Sequence, residues 1–438
     1  MTRNRRAVPV AVLFAAAMMG YACWAAFTGH GRATAVRVGY GSDSLIYLTG
    51  AKAPIWSASF LKSPPFLFTL LAKLCLRNLR AIVIVQSAIA VGAWLFLAAT
   101  LASKLRAPAV RGLAFVFILF LGLSPPILLW NATIATESLS VSVLCIAIAT
   151  WIRLADGAGR GGFIAFVVAL VALALTRDTN AYVLLVVGAI AVVVAAVRRD
   201  VRWRGLAVAA VCVVTGLGTI AASNHAGRWF DPLNETISLR LLSSPEATRY
   251  LVAHGMPLDA NVRRLNAPHM YPFLRNDLHS APKYAAYRNW VRARGRTTYV
   301  TFLLTHPGSD LSGPFKDRDR LLAPELRDYG WLSYDEPRGP FTIAGSLGFP
   351  GSPVLVEVWI GLAAIAAGAL ARRRDRRSLL TAAALLALVI VPHYLVVWHG
   401  DALEIDRHSL GAAVQLRIVL WVITALALDA VLARSVEV

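Results

Sequence analysis

Two acids stand where apolar sequence gives way to polar sequence. Asp43 lies in Val38-Gly39-Tyr40-Gly41-Ser42-Asp43-Ser44, and Glu137 in Ile134-Ala135-Thr136-Glu137-Ser138-Leu139. A carboxylate so placed can take a proton from a hydroxyl as a general base, or ligate a divalent cation. Arg177 and Asp178 are neighbours in Leu175-Thr176-Arg177-Asp178-Thr179-Asn180. An arginine there invites an anionic partner, and the planar guanidinium fork suits a phosphate. The densest polar run is His399-Gly400-Asp401-Ala402-Leu403-Glu404-Ile405-Asp406-Arg407-His408. Its two histidines and three acids fit no known metal-ligand spacing, whereas Arg407 with His408 reads as a second place for an anion.

Each feature also has a plainer reading. Glu137 could be a charge at a helix N-terminus, contributing about 0.3–1 kcal/mol. Arg177 and Asp178 could be a surface pair that marks a turn, and the run from His399 to His408 a solvated loop. An acid at a membrane boundary is costly, however, and that makes these residues candidates for function.

The elements that must position them are membrane helices. The chain has 438 residues, 57% hydrophobic and 16% charged; soluble domains are about 45–50% apolar and about 25% charged. Four cysteines without a C-x-x-C pair exclude a disulfide scaffold and a zinc ribbon. Apolar stretches fall at about 7–27, 80–102, 112–130, 133–152, 161–176, 181–197, 205–223, 353–371, 379–397 and 409–433. Ten spans put both termini on one side, and the first reads as a retained anchor rather than a cleaved signal. The net charge of +20 sits in short clusters between spans, such as Arg3, Arg5 and Arg6, or Arg198, Arg199, Arg202 and Arg204. The opposite short loops hold only Arg177 and Arg407. That asymmetry places both termini in the cytoplasm and reads as topology, so no nucleic-acid partner is expected.

Three parts follow: a transmembrane module over 1–223, an exoplasmic segment over 224–352, and terminal spans over 353–438. The first outer loop, 28–79, contains an apolar run from Phe66 to Leu76 too short to cross a bilayer, read as an interfacial helix. In the second outer segment, Ser244-Pro245-Glu246 should open a helix that Gly255 stops. Another should run from Ser280-Ala281-Pro282 to Gly295 and a third over 296–306, with irregular chain from Asp310 to Pro353.

Taken together, these residues resemble the GT-C glycosyltransferases, the multispanning family that includes protein mannosyltransferases and aminoarabinose transferases. The likeness rests on Asp43 in the first outer loop, on Lys62-Ser63-Pro64-Pro65-Phe66-Leu67-Phe68 before the second span, and on Thr136-Glu137-Ser138-Leu139 entering the fourth. Arg177 at the outer end of the fifth span and Glu404-x-x-Arg407-His408 before the last complete it. Where many members pair two acids in the first loop, this chain has Asp43-Ser44.

The resemblance implies an all-α polytopic fold with exoplasmic juxtamembrane helices, in the plasma membrane. It also implies transfer of a sugar from a polyprenyl-phosphate donor to a glycan, lipid or protein acceptor on the exoplasmic face, with inversion. Asp43 would be the catalytic base. Arg177, Arg407 and His408 would hold the donor phosphate, and a divalent cation, Mg or Mn, would sit between Asp43 and Glu137. Lys62, Asp178, His399 and Glu404 are further site candidates. Two other classes remain. A transporter would carry ionisable residues near mid-membrane and inverted repeats, whereas these spans read as almost uncharged at their centres. A non-catalytic scaffold presenting 224–352 would leave Asp43, Glu137 and Arg177 without a role.

Overall fold

The computed structural model describes residues 15–20, 42–61, 65–266, 277–324, 340–373 and 376–433. Among them the chain is helical, with no β-strand. The α-helices of five or more residues begin with α1 Ser42–Gly50, α2 Phe66–Leu74, α3 Leu79–Ala102, α4 Pro108–Gly122 and α5 Pro125–Asn131. Then come α6 Glu137–Ala155, α7 Arg160–Ala174, α8 Asp178–Val197, α9 Arg202–His225, α10 Phe230–Thr236 and α11 Pro245–Ala253. The series continues with α12 Ala285–Trp290, α13 Arg296–Thr305, α14 Pro307–Lys316 and α15 Arg318–Leu322. It ends with α16 Pro340–Gly348, α17 Pro353–Ala371, α18 Arg377–Gly400 and α19 Ile405–Leu432.

Among the described residues, seven helices are long and apolar enough to cross a membrane: α3, α6, α8, α9, α17, α18 and α19. They correspond one for one to seven of the ten apolar stretches. The stretch 112–130 is instead two helices, α4 and α5, bent by 57°. Ser124-Pro125-Pro126 causes the break, because the prolines suit a first helical turn but have no N–H to continue α4. The stretch 161–176 forms α7, whose 15 residues rise only roughly 22 Å. The stretch 7–27 lies outside the described residues except for 15–20.

Local chemistry sets the helix boundaries. The Asn78 side chain caps α3 by accepting from the Ala81 amide at 3.1 Å, and Ser352 starts α17 with Pro353 at its first position. Gly122 packs where a Cβ would meet the Trp94 ring at 2.7 Å, so α3 and α4 approach closely only with glycine there. The interfacial helix read from Phe66 onward is α2, and Lys73 ties it to the preceding loop through the Ala51 and Ala53 carbonyls, at 3.2 and 2.7 Å.

Helix ends gather at two poles. At one, Lys104 pairs with Asp156 at 2.5 Å, and Asp429 pairs with Arg376 at 2.6 Å while accepting from the Arg106 and Ala107 amides. Glu137, Arg177 and Arg407 lie at the other pole.

The segment after α9 has its own core, built on Phe230, Leu251, Tyr284, Trp290 and Phe302. Ser244 caps α11 and Gly255, at φ 88°, follows its end, as the sequence indicates. Two expectations are corrected. Gly295 is no stop: a π-helical turn, Val291–Gly295, carries α12 straight into α13. The chain beyond Asp310 is not irregular throughout, since α14, α15 and α16 form there; Pro307 and Pro340 occupy first-turn positions where a missing N–H costs nothing.

A third correction concerns the centres of the spans. Arg417, in the middle of α19, is 0% exposed. It donates to the Ala413 and Pro350 carbonyls at 3.2 and 2.7 Å, and its guanidinium stacks on the Phe349 ring. Backbone carbonyls and an aromatic face make this buried cation tolerable.

Candidate functional site

Glu137 opens α6 after the short stretch 132–136, which is held from three sides. Gln86, two turns into α3, donates to the carbonyls of Asn131 and Thr133 at 2.7 and 2.8 Å. Ser138 donates to the Asn131 side chain at 2.6 Å. Ser44, one residue past Asp43, donates to the Ile134 carbonyl at 2.6 Å and so fixes α1 against the same stretch.

Upon this frame sits Arg407 from the first turn of α19. Its Nε donates to Glu137 Oε1 at 2.5 Å, and its Nη1 reaches Asp43 Oδ2 and Glu404 Oε2, each at 2.7 Å. One guanidinium therefore gathers three carboxylates from residues up to 364 positions away from it. Arg407 and Glu137 are buried, whereas the Asp43 side chain keeps 27% of its surface exposed. An arginine fork with fixed donor directions is the group suited to this task.

Arg177, leading into α8, completes the cluster. Its Nη1 stands 3.4 Å from Glu137 Oε1, and its Nη2 lies 2.7 Å from His408 Nδ1. On its far side His408 directs Nε2 to Asp401 Oδ2 at 3.1 Å. Asp401 also accepts the Leu403 and Glu404 amides, at 2.8 and 2.9 Å, which shapes the turn into α19. Burial alone would raise the Asp401 and Glu404 carboxyls. The His408 charge and hydrogen bond reverse this for Asp401, and Arg407 with His408 reverses it for Glu404, so both lie below their ordinary values. Beside Arg177 and His408 is a small polar cavity lined by Ser140, Asn180 and His393.

The structure thus brings together Asp43, Glu137, Arg177, Arg407, His408 and Glu404. Three expected site residues lie elsewhere or outside view. Asp178 faces away from Arg177 and is held by Arg228, through two contacts of 2.8 Å, and by Ser223 at 2.7 Å. His399 pairs with Tyr299 of α13 at 3.1 Å. Lys62 lies outside the described residues.

The position expected for a cation, between Asp43 and Glu137, is bridged by the Arg407 guanidinium. A different trio has ligating geometry: Asp401, Glu404 and His408 present atoms all within 4.8 Å of one another. Their mix of carboxylate and imidazole donors suits manganese or zinc better than magnesium, which prefers oxygen. The i, i+4 spacing of Glu404 and His408, with Asp401 three residues earlier, is a signal in the sequence that could have found it. Gln86, a polar residue in the middle of an apolar run, could likewise have been found.

Compared with known proteins, the chain matches no family model and no curated protein.

Proposed function

We propose that this chain is a membrane glycosyltransferase of GT-C type. It would move a sugar from a polyprenyl-phosphate donor to a glycan, lipid or protein acceptor at the exoplasmic face of the plasma membrane. In this reading ten spans place both termini in the cytoplasm. The arginine-rich pole is cytoplasmic, by the positive-inside rule, and the pole holding Asp43 and Glu137 is exoplasmic.

One observation carries the reading. Asp43, Glu137, Arg177 and Arg407 come from four separate elements, yet converge on one cluster whose exposed edge is a carboxylate. At that edge Asp43 takes the acceptor hydroxyl proton as the acceptor oxygen bonds to the sugar's anomeric carbon. The bond from that carbon to the lipid phosphate breaks with inversion, and the phosphate leaves with the electron pair. Arg177, the less fully engaged of the two site arginines, meets the growing charge on the phosphate. Arg407 holds Asp43 in place rather than binding donor. A divalent cation held by Asp401, Glu404 and His408 would supply Lewis-acid stabilisation when bound.

The buried Arg417 and the bent α4–α5 pair favour a second reading, a transporter with ionisable groups at mid-membrane. Against it, the Arg417 donors are directed to backbone carbonyls. Reconstituting the purified chain in liposomes with polyprenyl-phosphate sugars separates the two. An enzyme releases free polyprenyl phosphate together with glycosylated acceptor; a transporter moves solute or lipid with every sugar–phosphate bond intact.

A further inference from the structure

Helices α6, α7, α8, α9 and α18 enclose an apolar groove of about 480 Å³, within the range of about 300–1,000 Å³ typical of ligand sites. Trp151, Phe166, Leu184 and Leu385 are among the side chains along its walls. Its lower mouth is different: Arg198, Arg204 and Arg377 line it, at the arginine-rich pole. Arg198 is taken by Asp200. Among the described residues, Arg204 and Arg377 have no acidic partner, and Trp203 beside them is 81% exposed, as an aromatic at a membrane–water interface would be.

The upper end of the groove is shut off from the polar cluster. His393 lines the small cavity beside Arg177, Gln415 lines the groove, and a 3.2 Å hydrogen bond joins the two buried side chains. Gln415 is further fixed by donating to the Leu386 carbonyl at 3.0 Å. An occupant therefore does not reach the polar cluster through this end, and its charge belongs at the arginine end with its apolar chain along the groove.

We propose that this groove holds an anionic glycerophospholipid, its phosphate at Arg204 and Arg377 and an acyl chain between α6, α8 and α18. Basic pockets between membrane helices at a cytoplasmic face recognise anionic headgroups in this way. The site is distinct from the one assigned to the donor lipid, and its occupancy does not depend on transfer. Only its assignment to the cytoplasmic leaflet rests on the topology proposed above.

Native mass spectrometry of the purified full chain, titrated with phosphatidylglycerol and with phosphatidylcholine of the same acyl chains, tests this. One phosphatidylglycerol should be retained in preference to phosphatidylcholine. Arg204→Ala with Arg377→Ala should weaken it about twenty-five-fold, about fivefold for each charge removed, while the double lysine variant keeps most of the affinity. Thr381→Trp, which fills the groove wall but spares both arginines, should also expel the lipid. Equal retention of the two lipids, or undiminished binding by the double alanine variant, would overturn the proposal. So would one-for-one displacement of phosphatidylglycerol by polyprenyl phosphate, which would make the groove the donor's tail channel. A chain that binds phosphatidylglycerol as described but transfers no sugar would refute the enzyme reading alone.

Discussion

At the scale of single residues, Arg407 is the keystone of the site, because it is the shared partner of Asp43, Glu137 and Glu404. Arg407→Ala leaves buried Glu137 with only the longer Arg177 contact and should lower stability by about 3 kcal/mol, read as a fall in thermal midpoint. Arg407→Lys should restore only part, since one ammonium cannot reproduce donors directed at both Glu137 and Asp43. Arg177 separates binding from scaffolding: Arg177→Ala should weaken polyprenyl-phosphate affinity by about 1.5–3 kcal/mol if a charged hydrogen bond is removed. Unchanged affinity in a binding titration would take the phosphate away from it. The pH dependence has a defined sign. Asp401 and Glu404 have folded values below their unfolded values of about 3.9 and 4.3, so their stabilisation is present above those values. It is lost as the pH falls through the lower folded values. Asp401→Asn should therefore flatten the decline of thermal midpoint between about pH 5 and pH 3. Residue types at the site were legible in the sequence because charge beside an apolar stretch is rare. Their pairing was not: neighbours in sequence suggested Arg177 with Asp178, whereas Arg228 takes Asp178 from 50 positions away.

At the scale of elements, the site depends on groups that never meet a substrate. Gln86→Leu would remove one donor from each of the Asn131 and Thr133 carbonyls, which Ser87 and the Ala135 amide still reach, costing about 0.5–1.5 kcal/mol for each hydrogen bond lost. Because those carbonyls precede Glu137, turnover should fall as well as the thermal midpoint, although Gln86 lies outside the charged cluster. The packing of α16 offers a second test. At Gly345 a Cβ would stand 2.4 Å from the Leu123 carbonyl oxygen, at the α4–α5 break. Gly345→Val should accordingly displace α16 and lower the thermal midpoint. Seven spans were plain from apolar length alone, since a bilayer imposes that length. The bend after Gly122 was carried by Pro125 and Pro126, which an average over the apolar stretch conceals. The helices beyond Asp310 were hidden for the opposite reason: proline and glycine punctuate them, yet Pro340 opens its helix and Pro314 is accommodated inside α14.

At the scale of the whole molecule, the two poles differ in chemistry. One collects arginines around buried Asp429, the other collects carboxylates around buried Arg407. Cysteines introduced at Asp156 and at Glu404 should react with a membrane-impermeant maleimide from opposite sides of sealed vesicles; labelling from one side would end the proposed topology. The central claim is that this carboxylate-rich pole transfers a sugar from lipid phosphate with Asp43 as base. Its most direct test is sugar transfer by the Asp43→Asn variant in liposomes, with donor-lipid affinity determined on the same preparation. The amide keeps the size of the side chain but cannot take the proton, so transfer should fall by about 10²–10⁴, with donor affinity unchanged. Transfer at the parent's rate would contradict the account.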